Sequence, residues 1–89
     1  MRAVVTVTGK DRKGIIAKVS GLLSERNINI EDISQTIMGE YFAIIMVVDI
    51  SETNRELADI ARECAELGKQ IGMAIYVQHE DIFNAMHRI

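Results

Sequence analysis

The 89 residues of this chain, 48% of them apolar, suffice for one small domain and are too few for two independent hydrophobic cores. Ten lysines and arginines stand against 13 aspartates and glutamates, and the net charge of -3 argues against nucleic acid as a partner. A single cysteine excludes an internal disulfide, and the longest apolar run, 41–48, is far shorter than the ~20 residues of a membrane helix. We expect a soluble cytoplasmic protein with no membrane segment, for which oligomerisation is a natural way to bury more surface.

The first half of the chain alternates between strand-like and helix-like patterns. Residues 3–8 are rich in β-branched side chains and predict a first strand. From Gly14 onward apolar residues recur at helical spacing, which predicts an amphipathic helix of about three turns. Asn27 tolerates left-handed backbone and is expected to end this helix. Residues 28–30 begin a second strand, whose apolar positions then change phase, so we predict a β-bulge at 31–32.

The second and third strands are predicted to pair as an antiparallel hairpin. Gly39 and Glu40 lie between them, and a glycine in first place suits a two-residue turn of the primed type. The third strand, 41–50, is apolar on both faces, whereas a strand with one face in water alternates. A second layer is therefore expected to cover the far face of the sheet. Two alternatives are open: the C-terminal segment of the same chain, or a second subunit.

The rest of the chain predicts a second amphipathic helix over 57–71, a fourth strand over 73–77 and a short C-terminal helix within 79–89. Strand, helix, strand, strand, helix, strand is the βαββαβ order of the ferredoxin-like fold. Right-handed crossovers place both long helices on one face of a four-stranded antiparallel sheet, with the first and third strands central. We therefore expect an α+β sandwich over residues 1–79 and a helical extension over 80–89.

The loop before the first helix, residues 9–14, is the strongest candidate for a binding site. Its two glycines have the spacing of a phosphate-binding loop, but Ile15 and Ile16 stand where that motif needs Lys and then Ser or Thr. A helix N-terminus still offers backbone N–H groups and a dipole that favour an anion such as a carboxylate. The alternative is that Asp11 is only an N-cap that accepts a hydrogen bond from the Gly14 amide.

This region also resembles a known family. The segment DRKGIIAKV at 11–19, followed after one helix by the Ile-Asn-Ile of 28–30, resembles the signature of the ACT domain, a small regulatory module that binds amino acids. The likeness spans residues 1–79. It extends to the N-terminal ACT segments of formyltetrahydrofolate deformylases and of the glycine cleavage system repressor, and to single-domain ACT proteins of unassigned role.

The resemblance implies where an effector would bind. In that family the turn before the first helix and an asparagine on the second strand contact an amino acid at a subunit interface, which implicates Asp11, Gly14, Ile15 and Asn29. The turn and Asn29 lie at opposite ends of the first helix, about 18 Å apart at ~1.5 Å per residue, so one chain cannot bring them together. A two-fold dimer with the polar second strands side by side would do so. The same polarity is also expected of an unpaired edge strand that resists aggregation.

The other candidate residues favour structural roles. Cys64 lies on the apolar stripe of the second helix, which indicates a core residue rather than a nucleophile. The set His79, Glu80, Asp81 and His87 matches no standard zinc spacing. We therefore expect no metal site, no cofactor and no catalytic residue.

These features favour a small-molecule sensor. The leading hypothesis is a homodimer that binds an amino acid or similar small carboxylate between its subunits and acts on a separate, unidentified partner protein, with no nucleic acid and no membrane involved. The alternative is a protein–protein interaction module without a specific small ligand. An enzyme is disfavoured, because the sequence shows no convergent base, nucleophile and oxyanion site.

Overall fold

The computed structural model of this protein describes residues 1–10 and 14–81. Its elements are β1 (Arg2–Lys10), α1 (Ile15–Glu25), β2 (Asn29–Met38), β3 (Tyr41–Asp49), α2 (Leu57–Ile71) and β4 (Ala74–His79). The strands form one antiparallel sheet in the order β2-β3-β1-β4. The predicted ferredoxin-like sandwich with β1 and β3 at its centre is confirmed.

The hydrophobic core lies between the two helices and one face of the sheet. Alternate residues of β1 and β3 supply the sheet side: Ala3, Val5, Val7, Phe42, Ile44, Met46 and Val48, each at most 5% exposed. The helices add Ile15, Val19, Leu23, Ile60 and Cys64. Removal of these apolar side chains from water is the main favourable contribution to folding.

Both long helices end where the sequence predicts. Asn27 has a φ of 57°, and the amides of Asn27 and Ile28 donate to the carbonyls of Ser24 and Leu23 at 3.0 Å each. These two bonds are the Schellman pattern, which satisfies the last carbonyls of α1. At the end of α2, Gly72 has a φ of 74° and supplies the equivalent left-handed residue.

The predicted bulge in β2 is confirmed. The register of β2 against β3 shifts between Ile30 and Asp32, so that Glu31 is the extra residue. After the shift, Ile33 and Ile37 lie opposite Met46 and Phe42 and share the helix-covered face of the sheet. They remain 43% and 58% exposed, because β2 is the outermost strand. The hairpin turn after β2 follows the prediction as well, with a φ of 62° at Gly39.

The last strand is longer than predicted. Gln78 and His79 pair with Val4 and Ala3, so β4 continues two residues past the predicted end at residue 77. The short C-terminal helix predicted within 79–89 lies almost wholly outside the described residues, which end at Asp81. Among the described residues, no helix is long and apolar enough to cross a membrane.

The face of the sheet away from the helices is partly apolar, as the pattern of β3 predicts. Tyr41 and Ile45 of β3 are 53% and 38% exposed, and Tyr76 of β4 is 63% exposed on the same face. The two expected covers for this open face, a C-terminal segment or a second subunit, stay predictions.

Candidate functional site

A cavity of about 130 Å³ lies where the first turn of α1 meets the sheet. Four consecutive residues form its helix side: Gly14, Ile15, Ile16 and Ala17. Three side chains of β2 and β3 form its sheet side: Gln35, Phe42 and Ile44. The cavity therefore includes two of the residues that the sequence implicates, Gly14 and Ile15.

The helix side of the cavity is the N-terminus of α1, where backbone amides lack partners within the helix. Gly14, with a φ of 81°, holds the N-cap position of α1, and its carbonyl accepts the first helical hydrogen bond from the Lys18 amide at 3.1 Å. The amides of Ile15, Ile16 and Ala17 precede that bond and have no partner within the helix. Together with the positive end of the helix dipole, they favour a carboxylate or another small anion.

The position of Gly14 corrects one alternative. Since Gly14 itself holds the N-cap position, Asp11 is not the N-cap residue of α1. Glycine takes this position because its backbone adopts a positive φ without steric cost. Asp11 lies outside the described residues.

The sheet side of the cavity is mostly apolar. Phe42 and Ile44 are 5% and 1% exposed, and Ile15 closes the space from the helix at 4% exposed. Gln35 pairs with Ile44 between β2 and β3. Its side chain is the one polar side chain among the described lining residues. An amide of this kind both donates and accepts hydrogen bonds.

Asn29 does not reach this cavity. It is exposed at the start of β2, and it lines a separate open depression at the far end of α1, together with Ser24, Asn27, Ile28 and Glu52. The 11 residues of α1 separate the two places by about 16 Å. Within one chain, Gly14 and Ile15 come together and Asn29 stays apart, as the length of the helix predicts.

Sequence reasoning missed Gln35, Phe42 and Ile44 as site residues. Phe42 and Ile44 read as ordinary core positions in β3. Gln35 shares its face with Ile33 and Ile37, and the phase change at the bulge was the signal that could have placed it there.

The ACT domain family model matches residues 2–78 of this chain. The chain belongs to the ACT domain family. Members of this family are generally regulatory modules that bind small ligands. The match covers all six elements of the fold except the last residue of β4.

Relatives of this ACT domain include full-length and partial matches. A UPF0237 protein of Methanocaldococcus jannaschii is 52% identical over 88 residues, which are 99% of this chain and 98% of that protein. The solved ACT domain protein from Streptococcus pneumoniae has a TM-score of 0.82 and 40% identity, over 98% of each chain.

Two larger proteins contain a similar domain. A formyltetrahydrofolate deformylase of Pseudomonas syringae shares the fold, with a TM-score of 0.79 and 21% identity over 88% of this chain and 27% of that one. A putative glycine cleavage system transcriptional repressor has a TM-score of 0.74 and 26% identity over 86% and 44% of the two chains. The resemblances expected from the sequence are confirmed.

The other candidate residues of this ACT domain, Cys64 and His79 among them, lie in surroundings that favour structural roles. Cys64 is fully buried, and burial raises the pKa of its thiol to about 11, so the thiolate needed of a nucleophile is disfavoured. The Asp81 amide donates to His79 Nδ1 at 3.1 Å. No group of three His, Cys, Asp or Glu residues within 1–10 and 14–81 is arranged to hold a metal ion, and His87 lies outside those ranges.

Proposed function

We propose that this ACT domain is a sensor of amino acids or similar small carboxylates, which it holds at a homodimer interface. It has no catalytic activity of its own and acts on a separate partner protein. The observation that carries the proposal is the cavity in which the amides of Ile15, Ile16 and Ala17 meet the apolar wall of Phe42 and Ile44. The ligand carboxylate accepts from the amides, and the rest of the ligand enters the cavity.

The edge of the sheet supports the homodimer. β2 is one of the two edge strands, and the groups on the outer side of such a strand are a template for pairing with a second copy. Next to this edge, on the helix side, Ile33, Ile37 and Ile16 are 43%, 58% and 39% exposed. Pairing β2 with β2 of a second copy buries these isoleucines against the partner subunit, at roughly 25 cal/mol for each Å² of apolar surface removed from water.

The same pairing accounts for the separation of Asn29 from Gly14. In two antiparallel β2 strands related by a two-fold axis, residues equally far from the axis on either side face each other. Asn29 begins β2, and Gln35 lies in its second half. An axis near the middle of β2 therefore brings the start of the partner's β2, which carries the partner's Asn29, alongside the part of β2 that lines the cavity. Each dimer then holds two identical sites, in which this asparagine accepts a hydrogen bond from the ligand ammonium group.

Binding between subunits converts ligand occupancy into a signal. A ligand that touches both chains stabilises the dimer arrangement in which the two halves of the site meet. The likeness to the putative transcriptional repressor supports a regulatory output, in that case within a longer chain. In this protein the output passes through another polypeptide, which recognises the liganded dimer.

The first test is calorimetric titration and thermal unfolding of the purified protein with each of the twenty amino acids. We expect one ligand class to bind at two sites per dimer. A ligand at ~100 times its Kd adds about 2.7 kcal/mol, and each kcal/mol raises the Tm of a domain of this size by roughly 4–8 °C. Asn29→Ala weakens binding by about ten-fold or more, the loss expected for a hydrogen bond to a charged group. Asn54→Ala removes an exposed asparagine that lines neither the cavity nor the depression around Asn29, and it leaves binding unchanged.

A subunit-mixing experiment tests the interface directly. Ala17→Leu blocks the cavity of its own chain but keeps Asn29, and Asn29→Ala keeps the cavity. Each variant alone fails to bind, and heterodimers of the two recover one complete site, because the blocked subunit supplies Asn29 to its partner. No recovery in verified heterodimers would show that the site does not span two chains. Failure of every amino acid and small carboxylate to bind would contradict the sensor as a whole.

The alternative function is a protein–protein interaction module without a small ligand. The exposed side chains of Tyr41, Ile45 and Tyr76 on the open face of the sheet favour it, because tyrosines are enriched in protein interfaces. Under this alternative the amino-acid titrations show no binding, and a partner protein protects the open face from hydrogen exchange.

A further inference from the structure

The two sides of the cavity at the start of α1 differ in polarity, and this difference limits which ligand side chains can bind. The backbone amides of α1 line one side, where the proposed function places the carboxylate. The opposite side consists of Phe42 and Ile44, both at most 5% exposed. A ligand whose carboxylate meets the amides directs the other groups on its α-carbon toward this wall.

The volume of the cavity limits the size of the group that enters it. An apolar cavity of roughly 150 Å³ accepts a benzene molecule. The cavity here, about 130 Å³, is slightly smaller and is open to solvent on one side, so a side chain of three or four heavy atoms occupies its enclosed part. A hydrogen atom or a methyl group would leave much of the wall without contacts.

The described part of the lining disfavours a charged group on the side of Phe42 and Ile44. Among the described lining residues no side chain is charged, and Gln35 alone carries polar atoms. An ammonium, guanidinium or second carboxylate placed against Phe42 and Ile44 would lose its hydration without gaining an opposite charge.

We infer that the ligand of this ACT domain is an α-amino acid with an uncharged aliphatic side chain of three or four heavy atoms: valine, leucine, isoleucine or methionine. This inference rests on the proposed function and concerns the same site. Valine, leucine and isoleucine fill the cavity as branched hydrocarbons, and methionine fills it as a flexible thioether.

The experiment compares ligands in matched pairs by calorimetric titration of the intact protein. Valine and threonine have the same shape and differ in one hydroxyl group, and an apolar pocket discriminates such a pair by about 100-fold. Leucine against aspartate tests charge, and valine against alanine tests size, for which a single methylene in an apolar pocket is worth roughly 10–200-fold. We expect the aliphatic member of the first two pairs, and valine in the third, to bind at least ten-fold more tightly.

A pair of variants locates the side chain of the ligand. Ala17→Leu places a bulky group in the cavity, and Lys18→Leu places the same group on the next residue, which does not line it. Both positions are exposed on α1, and leucine is a good helix former, so both variants keep the fold. We expect Ala17→Leu to lower leucine affinity by about ten-fold or more, as for other changes of pocket size. Lys18→Leu should change leucine affinity by no more than about two-fold, because Lys18 does not line the cavity.

Three other results would contradict either the aliphatic ligand or the sensor function. If the tightest amino acid is charged, polar, aromatic, glycine or alanine, the assignment of an aliphatic side chain is wrong, while the sensor function stands. If Ala17→Leu leaves leucine affinity unchanged, or lowers it no more than Lys18→Leu does, the side chain does not enter this cavity and the assignment is wrong. If no amino acid binds the folded protein, the proposed function fails and this assignment fails with it.

Discussion

Arg26, at the end of α1, donates from Nε to Glu63 Oε2 of α2 over 2.6 Å. The side chains of the two residues are 24% and 16% exposed, so this pair is shielded from water more than a typical surface ion pair. Arg55 adds a second contact, from its terminal guanidinium nitrogen to Glu63 Oε1 at 3.1 Å. One carboxylate thereby ties both helices to the segment that precedes α2.

The Arg26–Glu63 pair should therefore contribute measurably to stability. Glu63→Ala is expected to cost about 1.5–3 kcal/mol, because hydrogen bonds to charged groups fall in that range and the guanidinium groups lose their partner. A double-mutant cycle with Arg26→Ala, measured by urea unfolding, should give a coupling free energy of about 1 kcal/mol or more. The exposed Arg62–Asp59 pair, 3.3 Å apart on α2, is the control and should couple by ~0.5 kcal/mol or less. Equal couplings would show that burial adds nothing to the Arg26–Glu63 pair.

Two helical glycines should respond in opposite directions to alanine. A Cβ atom at Gly68 would lie 2.5 Å from the backbone oxygen of Met73, so α2 or β4 must shift. A Cβ atom at Gly21 of α1 meets nothing within 4 Å. We expect Gly68→Ala to destabilise the fold by about 1–3 kcal/mol, the usual cost of overpacking, and Gly21→Ala to stabilise it by about 0.5–1 kcal/mol through helix propensity. Thermal and urea unfolding measure both, and a stable Gly68→Ala variant would show that α2 does not pack closely on the turn before β4.

Asp49, at the end of β3, should contribute to the free energy of unfolding near neutral pH and lose this contribution in acid. Hydrogen bonds from the Ser51 hydroxyl and amide, at 2.6 and 2.9 Å, together with the nearby N-terminal ammonium, hold the pKa of Asp49 below its usual value of 3.8. A lowered pKa in the folded state stabilises the fold above the pKa of the unfolded state, and this contribution is lost as the pH falls through the folded value. The Tm difference between the wild type and Asp49→Asn should therefore stay constant from pH 7 to about pH 5 and shrink below about pH 4. A difference that grows in acid would contradict the direction of the shift.

A charge beside the β2 edge should dissociate the proposed dimer. Ile37→Lys places a charge without a partner in the apolar seam, and we expect sedimentation to show a monomer at concentrations where the wild type is dimeric. Tyr76→Lys is the matched control, since it adds the same charge to a similarly exposed position, 63% against 58%, on the open face of the sheet. Should Tyr76→Lys dissociate the dimer and Ile37→Lys preserve it, the interface lies on the open face instead.

Sequence patterns predicted those features of the fold that depend on local geometry. The change of apolar phase after Ile30 predicted a bulge at 31–32, where the structure has Glu31 as the extra residue. Asn27 and Gly72 ended the two helices because both adopt left-handed backbone. The end of β4 was misplaced by two residues. Gln78 and His79 carry no strand-like pattern of their own and are held in the sheet by pairing with β1.

The candidate site was predictable only in part, for a different reason. Gly14 and Ile15 can be predicted from a local motif, a turn that is followed directly by a helix. Gln35, Phe42 and Ile44 join them only through tertiary packing, because 20 or more residues separate Gln35 and Ile44 from the turn. Neither composition nor periodicity encodes such a meeting between distant segments.

The extra residue in β2 also sets the chemical character of two surfaces at once. If Glu31 were instead paired with Val47, every later side chain of β2 would slip by one residue and change sides. Ser34 and Thr36 would then face the helices, and Ile33, Gln35 and Ile37 would join the tyrosines on the open face. The bulge thus keeps isoleucines rather than hydroxyl groups beside the helices, and removal of its extra residue should leave both faces of β2 unchanged.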